Sequence, residues 1–274
     1  MSNTFILGIG SQKAGTSWLH KFMRQSSNFN EGFTKEYHIW DAVSVPAFEH
    51  FRVKRRLFMK SDEKMRHRMQ KSPDYYFDYF QSLYDETHDL AADISPNYSA
   101  LSAEIMSSVK KGFTERGIAC KAVLLIRDPV ERCKSVVQSD RNQGKRHGGV
   151  EIDESNYCDS LRSYYQTEHA ALRTRYDHTI QAMNSAFSPE ERYIGIYENM
   201  FEKEQIERLA SFLGVEARTD FGSKRVNRTT GERMSCPEVE AEMLRHFQPV
   251  YDFCFEQLPE TRKLWRQPDP DNEA

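Results

Sequence analysis

The stretch Phe5-Ile6-Leu7-Gly8-Ile9-Gly10-Ser11-Gln12-Lys13-Ala14-Gly15-Thr16-Ser17-Trp18-Leu19 runs from an apolar segment into a Gly/Ser/Thr loop and returns to apolar residues at helical spacing. A strand feeding such a loop and then a helix is the local plan of a phosphate-binding site. The first N–H groups of the helix have no intrahelical partner, and its dipole favours an anion. Spacing separates the candidate loops. A dinucleotide fingerprint needs glycine at position 13, which is Lys13, and a Walker loop counted from Gly10 has Gly15 but needs lysine where Thr16 stands. What remains is a loop with its cation at Lys13 and with Thr16 and Ser17 in the first helical turn, an arrangement that holds an anion without Mg²⁺.

A second segment, Cys120-Lys121-Ala122-Val123-Leu124-Leu125-Ile126-Arg127-Asp128-Pro129-Val130-Glu131-Arg132-Cys133-Lys134-Ser135, has the same plan. Val123 to Ile126 suit a parallel strand covered on both faces, and Asp128, Pro129 and Glu131 fit the N-cap, N1 and N3 positions of a helix. Capping leaves Arg127 unexplained. Its charge falls at the carboxyl end of a buried strand, where open α/β sheets bind ligands.

These two segments together carry a resemblance to a known family. GSQKAGTSWL resembles the 5′-phosphosulfate loop of the sulfotransferases that use 3′-phosphoadenosine 5′-phosphosulfate (PAPS). The resemblance implies that Lys13, Ala14, Gly15, Thr16, Ser17 and Trp18 bind the donor, and that Arg127 and Ser135 bind its 3′-phosphate. Thr34-Lys35-Glu36-Tyr37-His38-Ile39-Trp40-Asp41 is similar to the Lys-Glu-x-His segment of the heparan-sulfate (glycan-modifying) type, and Asp93-Ile94-Ser95-Pro96-Asn97-Tyr98 to a Ser-Pro-x-Tyr turn of that branch. The loop 222–231 resembles the late basic loop that closes over the 3′-phosphate, with Lys224, Arg225 and Arg228 as candidates, although it departs from the usual Lys/Arg-Gly pattern.

By the same resemblance, sulfuryl transfer needs a base, a cation and fixed donors. Glu36 is the expected general base, His38 is the competing one, Lys35 bridges base and donor, and Lys13 meets the charge on the leaving oxygen. A His near 6.5 needs less tuning than a carboxylate near 4.3, so the residues alone leave the two open. PAPS is then a co-substrate yielding PAP, with no metal required. Two rivals stand beside this reading: a small-molecule kinase or NTPase with a degenerate phosphate loop, and a non-catalytic nucleotide-binding scaffold.

The motifs extend from residue 5 to about 231, which favours one domain over 1–274, with a helical insertion at about 44–86. Strands 4–9, 89–94, 121–127 and 192–197 alternate with helices 15–25, near 100–114, 129–142 and 198–213. That order predicts an α/β fold, a P-loop-like central parallel sheet flanked by helices on both faces. Leu161 to Phe187 reads as one long amphipathic helix, and 235–259 as a last one. The aromatic cluster Tyr75, Tyr76, Phe77, Tyr79 and Phe80 reads as core.

With 38 Lys/Arg against 41 Asp/Glu the net charge is −3, which does not call for a nucleic-acid partner. From Arg52 to Lys71, nine Lys/Arg face only Asp62 and Glu63. That segment is either a solvated helix face or a wall attracting an anionic acceptor such as a sulfated or uronate-containing glycan. The five cysteines show no metal-like spacing, so core packing and a reducing compartment are expected. The absence of a signal-like segment or an apolar run near 20 residues leads to an expectation of a cytoplasmic enzyme with no membrane partner, unlike membrane-anchored Golgi relatives. Oligomeric state is not legible.

Overall fold

Phe5, Leu7 and Ile9 alternate with Ile6 along strand β1 (Thr4–Gly10), and the two sets enter separate hydrophobic cores. The same alternation holds on β4 (Ala119–Ile126), where Ala122, Leu124 and Ile126 join one core and Val123 and Leu125 the other. A strand apolar on both faces must be covered on both. In the computed structural model, which describes residues 3–143, 157–222 and 234–267, that cover is helical.

The sheet adds β2 (Phe29–Asn30), β3 (Leu90–Ile94) and β5 (Arg192–Ile196), in the order β2-β3-β1-β4-β5, with all pairings parallel. α1 (Thr16–Met23) packs on one face through Trp18, Leu19, Phe22 and Met23. Next come α2 (Trp40–Ser44), a 3₁₀ turn Pro46–Phe51, α3 (Ser61–Lys71) and α4 (Pro73–Gln81). α5 (Ala103–Thr114) and α6 (Pro129–Gln143) lie on the other face; their starts are set by Ser102, which accepts from Ile105 N (3.4 Å), and by Asp128, which accepts from Glu131 N (2.9 Å).

The expected long helix is instead three: α7 (Tyr157–Tyr165), α8 (Glu168–Thr174) and α9 (Tyr176–Ala186). The Thr167 hydroxyl accepts from Ala170 N (3.1 Å) and restarts the chain as an N-cap, a local bond that apolar spacing does not reveal. α10 (Lys203–Leu213) returns to the α1 face and ends at Gly214, whose φ is +74°. α11 (Thr219–Gly222) follows. The last expected helix is divided at Phe247 into α12 (Pro237–His246) and α13 (Gln248–Gln257), before α14 (Thr261–Leu264).

Cys120, Cys133 and Cys254 are buried thiols, as expected of core cysteines. Cys158 and Cys236 form a disulfide, which corrects the expectation drawn from their scattered spacing. They are 78 residues apart in sequence and meet only because α7 packs against α12.

Chain connections from β1 lead toward β2 and β3, whereas β4 lies on the opposite side and leads to β5. The carboxyl ends of β1 and β4 therefore flank the point where strand order reverses, the usual crevice of an open α/β sheet. Phe5 anchors this pair, fully buried and stacked on Phe113 at 3.9 Å between centroids. Phe5→Ala is expected to destabilise the fold by about 3–5 kcal/mol in urea denaturation; a loss under about 1 kcal/mol would mean that the ring is not part of a packed core.

Candidate active site

The crevice begins where β1 ends. Ser11 N donates to Leu125 O (2.7 Å), tying the loop to β4. The backbone then takes positive φ at Lys13 (+66°) and Gly15 (+99°). Gly15 meets two demands, since a Cβ there would also come within 2.8 Å of Met200 Sδ. Trp18 N and Leu19 N donate to Gly15 O (2.9 and 3.0 Å), so the Trp18 amide is engaged and its ring is buried against Phe22. Thr16 and Ser17 stand in the first turn, where amides have no earlier helical carbonyl to bond. Ala14 is buried and Lys13 half-buried.

Arg127 leaves the end of β4 and reaches back to this loop. Its Nη1 donates to Lys13 O (3.3 Å), its guanidinium lies 4.6 Å from the Tyr197 ring centre, and Glu131 Oε2 is 3.8 Å from Nη2. Arg127 Nε is buried and has no hydrogen-bond partner among the described residues. A buried, unused donor on a guanidinium is costly unless a ligand takes it. Ser135 lies two turns into α6, half-buried, and no hydrogen bond joins it to the loop among the described residues. Lys224, Arg225 and Arg228 lie outside the described residues.

The segment 35–41 crosses the same crevice from the side. Lys35 Nζ is 2.6 Å from Glu36 Oε1, 3.3 Å from Ser17 Oγ and 3.4 Å from Thr16 Oγ1. One ammonium thus joins the candidate base to the first turn of α1. Glu36 Oε2 accepts from His38 Nε2 (3.3 Å), and His38 Nδ1 donates to Asp41 Oδ2 (2.7 Å). The His38 ring stacks on Phe51 at 3.9 Å, and its backbone has a φ of +53°, an uncommon value for a residue with a side chain.

Buried groups hold that conformation. His38 N donates to Ser95 Oγ (3.1 Å), Gln70 Nε2 donates to His38 O (2.8 Å), and Ile94 N donates to Lys35 O (2.9 Å). Asp93, fully buried at the end of β3, receives Ser95 Oγ (2.6 Å), Tyr98 OH (2.7 Å), Tyr76 OH (3.2 Å) and Tyr37 N (3.3 Å). Burial pushes Asp93 up to about 6 although these donors favour its charge. The Ser95-Pro96-Asn97-Tyr98 turn is buried and acts as a brace beneath the base segment.

Charge sharing sets the acid–base state. Burial pushes Glu36 up, but the His38 hydrogen bond and the Lys35 ammonium outweigh it and hold the carboxyl at about 2. Burial alone lowers His38, yet the Asp41 and Glu36 hydrogen bonds win and raise it to about 9. His38 is therefore an imidazolium near neutrality, with both ring nitrogens donating.

Two contributors escaped sequence reasoning. Asp41, wholly buried, also accepts from Ala42 N (2.9 Å) and Asn97 Nδ2 (3.2 Å), and its only signal was the three-residue spacing from His38. Arg66 on α3 donates through Nη2 to Glu36 O (3.2 Å), a contact across 30 residues.

A family profile described as Sulfotransferase domain matches residues 3–246. The chain belongs to the sulfotransferase family. No curated protein matches it. Among solved structures, this sulfotransferase is similar to one from Alicyclobacillus acidocaldarius, at 18% identity and a TM-score of 0.61, over 94% of this chain and 97% of that one. It is also similar to mouse sulfotransferase SULT7A1 complexed with PAP, at 10% identity and a TM-score of 0.50, over 96% and 88% of the two chains. At these identities the likeness is one of fold. Family membership makes the protein an enzyme and removes the kinase and scaffold readings.

The sulfotransferase's pH dependence follows from the coupled pair. A raised His38 contributes stability that is complete below 6.5 and is lost as pH rises through about 9. A depressed Glu36 contributes above 4.5 and loses its share as pH falls toward about 2. The His38 ring proton is expected to titrate near pH 9 by NMR, and Glu36→Gln is expected to move it downward. Titration near 6.5 would show that the pair is not formed.

Proposed function

We propose that this sulfotransferase moves the sulfuryl group of PAPS to a hydroxyl on a carbohydrate or other small alcohol, with Glu36 as general base. The observation carrying the reading is the Lys35 ammonium, in contact with Glu36 and with both hydroxyls of the first turn of α1. It puts a carboxylate beside an anion-binding helix start, as transfer between a bound donor and an acceptor alcohol requires.

The residues suit the donor. The first turn at Thr16 and Ser17 supplies amides and hydroxyls for a 5′-phosphate, with Gly15 allowing the backbone to turn. The unused Nε of Arg127 suits a 3′-phosphate. Ser135 is assigned to the same phosphate by resemblance, as are Lys224, Arg225 and Arg228. PAPS supplies an activated sulfuryl group on a phosphosulfate oxygen. Lys13, in the turn that leads into α1, is assigned to the negative charge that grows on that oxygen as its bond to sulfur breaks.

Glu36 takes the hydroxyl proton as the new oxygen–sulfur bond forms. A carboxylate held at about 2 is a weak base while Lys35 and the His38 imidazolium both rest on it. Lys35, already shared with the helix start, turns toward an anion there and leaves the carboxylate more basic. His38, a cation hydrogen-bonded on both sides, is suited to orienting Glu36 rather than to accepting a proton. This favours Glu36 in the choice the sequence left open.

The acceptor class rests on the Lys35-Glu36-x-His38 segment, the heparan-sulfate-like signature, and on Arg66, which brings a positive charge to the base side of the crevice. An anionic glycan fits both. We assign the whole activity to one domain over 1–274, with the insertion at about 44–86 forming the acceptor side.

Glu36→Gln is expected to lower kcat by about 10²–10⁴-fold while PAP affinity stays near wild type. Equal loss of turnover and PAP affinity would overturn the assignment of Glu36 as base. Arg127→Ala is expected to weaken PAP far more than adenosine 5′-phosphate in calorimetry; a uniform loss for both would make Arg127 structural.

A further inference from the structure

Among the described residues, the large hydrophobic side chains left in solvent are Leu57 (95% exposed), Phe58 (91%) and Met234 (36%). Leu57 and Phe58 are adjacent, in the loop between the 3₁₀ turn Pro46–Phe51 and α3. That loop, Arg52-Val53-Lys54-Arg55-Arg56-Leu57-Phe58-Met59-Lys60, carries five Lys/Arg and no Asp or Glu. A solvated basic face accounts for its charges but not for two neighbouring apolar side chains held in water. An anionic glycan would likewise use the cations and leave Leu57 and Phe58 without a role.

The base of the loop is fixed. Arg52 Nε and Nη2 donate to Ala42 O (2.9 Å) and Val43 O (3.1 Å), Val53 N donates to Gln70 Oε1 (2.8 Å), and His67 Nδ1 bonds Val53 O (2.8 Å). On the far side, Lys60 N donates to Glu63 Oε2 (3.1 Å) and Arg56 pairs with Glu63 Oε1 (2.7 Å). Lys54, Arg55 and Lys60 are exposed and have no acidic partner among the described residues. The result is a mounted tip, apolar at its point and positive at its flanks.

We infer that the loop 52–60 docks the enzyme on the anionic surface of a lipid bilayer. Leu57 and Phe58 enter the interfacial layer, and Lys54, Arg55 and Lys60 meet acidic headgroups. Charge complementarity selects this partner, because paired apolar and basic side chains match a surface that is anionic outside and apolar just beneath. The sequence led to an expectation of no membrane partner because it lacks a spanning segment. No helix among the described residues is long and apolar enough to cross a membrane. Docking of this kind needs none.

The mount also connects the tip to the catalytic side. Phe51, where the loop begins, stacks on His38, and Gln70 binds His38 O, Phe51 O and Val53 N together. A docked tip therefore holds the base segment at a fixed height above the bilayer.

The test is co-sedimentation of the full chain with vesicles of phosphatidylcholine alone and of phosphatidylcholine mixed with phosphatidylglycerol. Wild type is expected to sediment with the mixed vesicles only and to be released by added salt. Leu57→Ser/Phe58→Ser and Lys54→Ser/Arg55→Ser/Lys60→Ser are each expected to weaken partition about tenfold or more, with circular dichroism and Tm unchanged because every altered side chain is exposed. Failure to sediment, equal partition into neutral vesicles, or undiminished binding by the Leu57/Phe58 variant would overturn the inference. So would a dimer in solution that the Leu57/Phe58 variant abolishes, since the tip would then belong to a second copy of the chain.

Discussion

A single ammonium group holds the site together. Lys35 touches the Glu36 carboxylate and the Thr16 and Ser17 hydroxyls, and so couples a segment outside the sheet to the helix that starts at the end of β1. Without it the crevice would contain an anion-binding turn on one wall and a carboxylate on the other, repelling any shared anion. With it, the two walls have opposite tasks and a common cation, and its position decides how basic Glu36 is. A charge drawn partly out of water is tolerable only when paired, and here the pair is half-buried at the mouth of the candidate site.

The arrangement depends on supports that are buried behind it. Asp93 collects three hydroxyls and one amide at the carboxyl end of β3 and so fixes the backbone of 37–39, including the positive φ of His38. Asp41 fixes the other face of the imidazole and is itself held by Asn97, which Arg173 bonds in turn (2.9 Å). Each member is buried, so loss of one strands the others without partners. Strain at His38 persists because four elements over-determine it, a pattern common at functional sites.

The sheet was legible because its strands are apolar on both faces and its loops carry glycine and capping residues at fixed offsets. β1, β3, β4 and β5 lie within a few residues of their expected positions. β2 is two residues long and leaves no period to read. The breaks at Thr167 and Phe247 were hidden because apolar spacing continues across them, and only a hydrogen bond or a turn of the backbone marks the interruption. At the site, Lys13, Lys35, Glu36, His38 and Arg127 could be named from local motifs. The charge states of Glu36 and His38 could not, because they depend on Asp41 and Lys35 sharing charge in space. Arg66 and the Cys158–Cys236 bond are long-range meetings with no sequence period behind them.

The loop after β1 and Arg127 are proposed to form a site for a 3′-phosphorylated adenosine nucleotide. Calorimetric titration of the purified protein with PAP, beside ATP with and without Mg²⁺, tests it most directly. Tight PAP binding, indifferent to Mg²⁺ and stronger than that of ATP, is the expected result. Preference for ATP in the presence of Mg²⁺ would contradict it.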